Sequence, residues 1–353
     1  MSARSKGTNI LDTLEVLLFA IPIMTLIFGG CNGGCNRPVA NHSDTTKVQT
    51  TQDAGIPNFS ADTAYKYTKE QVDFGPRIVG TKAHEKCLEF ILDRLKADSI
   101  PYMIQKSSAK TFDGKMFEFE NIIASSQPNN TNRILLCTHW DTRPFADADS
   151  VDPKGTFDGA DDGASGVATL LEIARHLKAA KFAIGVDLVF FDIEDYGQQG
   201  PEDGDYPEMA DSWGLGSQYW AKNIPANYAP RYGILLDMVG GKNPSFPMEG
   251  TSMHYAPDIV KKIWAIADKL GYGSYFTHDI TGMTTDDHLY VNKYANIPTI
   301  DIVHYDMGRQ DYPYWHHKHS DNMSIIDTAT MHMVGRTLMN VFAGEKTSAS
   351  EVQ

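Results

Sequence analysis

Short apolar runs alternate with longer segments of helical period along most of the chain. Apolar residues recur every three or four positions over 61–73, 83–97, 163–180, 257–271 and 325–343, which predicts five amphipathic helices. Between them lie compact β-rich runs at 121–125, 133–140, 186–192, 233–239 and 298–305, which predict five strands. Strands alternating with helices specify an α/β fold. We expect a three-layer sandwich, with a central, mostly parallel mixed sheet covered by helices on both faces. In such sheets a site forms beyond the carboxyl ends of the strands.

The polar residues fall where that rule puts them. The run "VDLVFFDIEDYG" ends in Asp192, Glu194 and Asp195. "RILLCTHWD" ends in His139 and Asp141, and "GILLDMVGG" carries Asp237. The helix at 163 is preceded by "FDGADDGASG", with Asp161 and Asp162. Each has an ordinary reading of its own: Asp before a helix is a favoured N-cap, and an acid after a strand can be a solvated turn. The loop "YWHHKHSDN" adds His316, His317 and His319 within four positions. Strand-end carboxylates with a histidine cluster make the oxygen and nitrogen ligand set of a catalytic zinc site. "GASG" around Ser165 lacks the G-x-S-x-G elbow of a serine hydrolase. The acidic loop 201–211 lacks the alternating oxygen ligands of a calcium loop and reads as a solvated insertion near the pocket.

The N-terminus follows another pattern. Arg4 and Lys6 precede the thirteen-residue apolar run 16–28, too short to span a membrane comfortably and suited to a signal-peptide core. Gly29, Gly30 and Cys31 follow, an order that resembles a bacterial lipobox, with Cys35 as a rival lipidation site. Residues 1–31 are therefore expected to be a signal peptide ending at a lipidated Cys31. Residues 32–58 are polar and without apolar period, a tether, and 59–353 form one catalytic domain. That organisation implies a periplasmic protein held to a membrane of the bacterial cell envelope by lipid. The formal charge of −14 argues against nucleic acid as a partner.

Six motifs in order, "THWD", "GADDGASGVA", "FFDIEDYG", "LLDMVGG", "TTDDHLYVNKYANIPTIDIV" and "YWHHKHSDN", resemble the zinc aminopeptidase family that includes the glutaminyl cyclases. The resemblance runs from about residue 60 to the end. For a cyclase it implies a monomer with one Zn²⁺ held by Asp162, Asp195 and His317, with His316 as the alternative to the last. It also implies Glu194 as proton shuttle, with Asp237 and Asp286 as a proton-sharing pair. Trp315, Trp213 and Trp140 would line the pocket, and Asp141 would orient His139. The implied reaction turns N-terminal glutamine of peptides or proteins into pyroglutamate with release of ammonia. The alternative is a two-zinc aminopeptidase, whose five ligand positions fall on His139, Asp162, Asp195, Asp237 and His317. Asp286, directly before the Asp287–His288 pair, is the cyclase-like feature. A third reading is a binding protein that retains the fold without catalysis.

Overall fold

A computed structural model describes residues 55–180, 182–199 and 206–345. The expected signal peptide, Cys31, Cys35 and the tether up to residue 54 lie outside the described residues, as does 200–205 of the acidic loop. The described residues form one compact unit.

The chain opens with α1 (Ala61–Val72) and α2 (Lys82–Ala97), capped by Ser60 and Thr81, whose side chains accept from backbone N–H groups of the first turn. A hairpin of β1 (Tyr102–Lys110) and β2 (Met116–Ser125) leads to β3 (Arg133–His139), α3 (Ala164–Leu177) and β4 (Gly185–Phe191). Then come α4 (Leu215–Lys222), β5 (Gly233–Asp237), β6 (Phe246–Met248), α5 (Gly250–Tyr255), α6 (Pro257–Lys269) and β7 (Phe276–Ile280). The chain ends with α7 (Asp287–Tyr290), a π-turn at Val291–Ala295, β8 (Thr299–Val303) and α8 (Thr328–Gly344).

The main sheet has the order β1-β2-β4-β3-β5-β8. Strands β4, β3, β5 and β8 are mutually parallel, and the β1–β2 hairpin adds an antiparallel edge. Alternate residues of the buried strands face opposite layers, as the two-residue period requires. Ile134, Leu136, Leu188 and Ile234 join the larger core, packed with α1, α2, α3, α6 and α8. Leu135, Cys137, Val189 and Leu235 face the other layer, packed with Trp220 of α4, Val291 and Ile297. The three-layer α/β expectation is correct. The hairpin extends well beyond the strand expected at 121–125, and β6 and β7 pair into a small second sheet.

Helix α3 comes unusually close to the sheet. A Cβ on Gly166 would lie 2.1 Å from Thr138 Oγ1 and 2.7 Å from the Leu236 carbonyl oxygen. Only glycine allows that approach, and it brings the start of α3 against the carboxyl ends of β3 and β5.

Candidate metal centre

Successive parallel strands deliver their polar residues to one end of the sheet. β3 ends at His139, and the chain continues to Asp141. Past the end of β4 come Asp192, Glu194 and Asp195, with Ile193 between them at φ +51°. β5 ends at Asp237, and Asp286 caps α7 by accepting from the N–H of Asp287. Asp161 and Asp162 precede α3. They do not act as N-caps, since Gly163 holds that position in a left-handed conformation. Instead, Asp321 accepts from both their N–H groups, at 2.8 and 3.2 Å.

The three expected ligands converge. His317 Nε2 lies 3.2 Å from Asp195 Oδ1 and 3.7 Å from Asp162 Oδ2. His316 approaches Asp162 at 4.0 Å and stacks on His317, so His317 is the histidine placed between both carboxylates. Asp162 Oδ2 and Asp195 Oδ1 are buried and have no hydrogen-bond donor. Buried carboxylate oxygens without donors are costly, and a cation is the partner they suit. The opposite ring atom, His317 Nδ1, faces Asp147 at 3.3 Å and Gln199 at 2.9 Å, an orientation that leaves Nε2 for a metal. The donor set therefore fits a zinc-like ion. His139 completes a second grouping: its Nε2 lies 3.1 Å from Asp162 and 3.3 Å from Asp237, and all three residues are buried.

Asp141 works differently from expectation. Its carboxylate accepts from the N–H groups of both Glu194 and Asp195, each at 3.1 Å, while His139 Nδ1 lies farther off at 3.6 Å. It thus fixes the backbone that carries two site residues. The other Asp195 oxygen accepts from the Arg143 N–H at 3.0 Å.

Crowding sets the protonation of these acids. Burial first, then the charge of Asp162, raises Asp195 to about 6. Burial and the Asp237 charge raise Asp286 to about 7. Burial, with Asp286, Asp287 and Asp195 nearby, lifts Glu194 well above the carboxylate range. Asp162 is the exception: burial is overcome by His139 and His317, which hold it well below its usual value.

Asp162, Glu194, Asp195, Asp237, Asp286 and His317 all face a cavity of about 440 Å³. Trp213 also lines it, its ring stacked parallel to His317 at 6.0 Å and covered by the Arg143 guanidinium at 4.8 Å. Trp140 does not. It follows His139 at the end of β3, so the strand period turns it to the opposite layer, where it is fully buried and stacked on His84. Trp315 is also buried, its indole N–H donating to Asp161 at 3.0 Å, so it braces the loop ahead of α3 from behind the cavity wall. Residues the sequence reading passed over also belong to the site: Asp147, Gln199, Tyr312 and the buried Asp301. Asp301 interrupts an apolar run, and both its oxygens are buried without a donor.

A largely parallel α/β sheet whose strand ends gather carboxylates around buried histidines is the arrangement of the metal-dependent exopeptidase-like hydrolases and transferases. The sequence profile of peptidase family M28 matches residues 121–342, and the chain belongs to that family. It is 44% identical to a glutaminyl cyclase from Bacteroides thetaiotaomicron solved with N-acetylhistamine bound, covering 82% of this chain and all of that one, with a TM-score of 0.79. A glutaminyl cyclase from Tannerella forsythia gives 43% identity over the same share, also at 0.79. A protein from Parabacteroides distasonis described as a Zn-dependent exopeptidase gives 44% identity and 0.78. Among curated proteins, the glutaminyl-peptide cyclotransferase of Drosophila melanogaster is 26% identical, over 72% of this chain and 73% of its own.

Proposed function

We propose that the chain is a zinc-dependent glutaminyl-peptide cyclotransferase, which converts N-terminal glutamine of peptides or proteins to pyroglutamate and ammonia. The observation that carries this reading is the placement of Asp286 in one cavity with Glu194 and Asp237, where burial first and then the Asp237 charge raise the Asp286 carboxyl to about 7. Two carboxyls buried in one cavity do not both ionise cheaply, so a proton is retained on the pair. A protonated carboxyl there can hydrogen-bond a substrate amide, and Asp237 is then a weaker ligand for a second ion.

Asp162, Asp195 and His317 would hold one Zn²⁺, which when bound polarises the side-chain amide carbonyl as a Lewis acid. The substrate supplies its own nucleophile, the α-amine, and ring closure is intramolecular, so positioning supplies much of the rate. As the amine nitrogen bonds to the amide carbon, Glu194 takes its proton. As the amide C–N bond breaks, Glu194 returns that proton to the departing ammonia. Burial among carboxylates raises the proton affinity of Glu194 above that of an ordinary carboxylate, which suits it to hold a proton between the two steps. Trp213 walls the cavity beside His317 and limits water that would hydrolyse the amide. We further propose, from the apolar run 16–28 followed by Gly29, Gly30 and Cys31, that the protein is lipid-anchored at the bacterial envelope through Cys31.

The test is an assay with a Gln-initiated dipeptide that measures ammonia and free amino acid separately. Ammonia release without dipeptide cleavage supports the cyclotransferase. The second reading, a two-zinc aminopeptidase, is favoured by the buried His139, Asp162 and Asp237 grouping. It predicts amino-acid release and two bound ions per chain.

A further inference from the structure

A second cavity, of about 540 Å³, adjoins the first. The two share Gln199, Trp213 and Thr285 as common wall. The far walls of the second are Tyr206, Met209 and Tyr290, with the carboxylates of Glu208 and Asp211 around them. Asp211 is already committed: Lys293 donates to it at 2.8 Å. Glu208 is exposed and has no hydrogen-bond or ion-pair partner among the described residues. Counting Lys293 with the two acids, the cavity keeps a net negative charge.

We propose that this second cavity is a subsite for the side chain of the residue that follows glutamine, and that it selects a long cationic side chain. The proposal rests on the cyclotransferase reading, which seats the glutamine in the first cavity. One residue advances the chain by about 3.8 Å between Cα atoms, so the next side chain can reach across a shared wall one tryptophan thick. The lining matches an arginine or lysine chemically. Tyr206 and Met209 offer aromatic and thioether surface to an apolar stem, and an exposed ring face attracts a cation. Glu208 supplies an unpaired charge for the cationic end. An acidic side chain would meet the same carboxylates and be disfavoured. These contacts are partly solvated, and an exposed ion pair with a cation–π contact is worth roughly three- to ten-fold in affinity.

The zinc-loaded protein is assayed for ammonia release with three peptides alike except at position two: Gln-Arg-Ala, Gln-Ala-Ala and Gln-Glu-Ala amides. The expected order of kcat/KM is Arg above Ala above Glu, with roughly ten-fold or more between the ends and a gap that narrows as salt is raised. Glu208→Gln should bring the Arg-to-Glu ratio to within about three-fold, and Glu208→Lys should invert it. Because Glu208 is exposed, neither change threatens the fold. Equal kcat/KM for all three peptides, or an undiminished ratio in Glu208→Gln, overturns the subsite while leaving the cyclotransferase reading intact. No ammonia from any peptide sinks that reading, and the subsite with it.

Discussion

Asp141 makes no expected contact with substrate or metal, yet it holds the segment carrying both Glu194 and Asp195. Asp141→Asn is nearly isosteric and keeps one acceptor oxygen. It replaces the other with an amide N–H₂ pointed at a backbone N–H. One of two charge-assisted hydrogen bonds at 3.1 Å is lost, and a buried donor is left facing a donor. Bonds to charged groups contribute about 1.5–3 kcal/mol, so the expected stability loss is about 2–4 kcal/mol. In a domain of this size that lowers Tm by roughly 3–7 °C. The larger effect should be functional. Residues that orient metal ligands typically contribute about 10–100-fold to metal affinity or activity. Here the lost bond loosens the segment that carries both Glu194 and Asp195, so on the proposed roles both zinc affinity and kcat should fall into that range. Thermal unfolding of the metal-free protein isolates the first effect; zinc titration and ammonia release measure the second. If Asp141→Asn binds zinc within two-fold of wild type and turns over normally, the bracing role assigned to Asp141 is wrong.

On the proposed roles, Glu194→Gln removes the base but no ligand, so zinc content should stay near wild type while kcat drops by about 10²–10⁴-fold. Asp195→Asn should lose zinc first; the opposite pattern would exchange the two roles. Glu345, buried beyond the end of α8, accepts from Arg231 at 2.6 Å and Tyr232 at 2.5 Å and pairs with Lys262. Burial opposes its charge, but Lys262, Tyr232 and Arg231 hold its carboxyl below 4.5. Its contribution is therefore present above 4.5 and lost as pH falls through the lower folded value. Glu345→Gln should cost about 1–3 kcal/mol at pH 7, and the difference from wild type should shrink on acidification in unfolding curves. A gap that widens instead refutes this. If Cys31 carries lipid, Cys31→Ser should release the protein from the membrane fraction or leave an unprocessed precursor; unchanged fractionation would point to Cys35 or to an anchor without lipid.

The parallel core was legible because each of its strands is a short, dense apolar run, and the site because acids follow those runs. The β1–β2 hairpin was not. β1 is an exposed edge strand with Lys106, Ser107 and Ser108 in its middle, and its pattern carries no buried face of the kind that marks a strand. Trp140 was misplaced because a motif was read as a unit, although a strand turns neighbouring residues to opposite layers. Asp301 was the readable signal that went unread: a carboxylate in the middle of a five-residue buried strand needs a reason, and its neighbours Asp286 and His288 provide one. Asp147 and Gln199 carried no such mark, since their position behind His317 depends on loops that only the folded chain brings together.

The close seat of α3 on the sheet bears on how this protein can change over evolutionary time. At Gly166 the helix backbone lies directly on Thr138 and the Leu236 carbonyl, so the spacing between Asp162, His139 and Asp237 is set by this close seat rather than by bulky side chains in between. Substitutions elsewhere in the core can accumulate without altering the reach between those groups. Chemistry can then diverge by exchanging single residues around a fixed frame, and on the proposed reading Asp286 is such a residue. A family of peptidases and a family of cyclising transferases can share one scaffold because neither has to rebuild the distances on which its site depends.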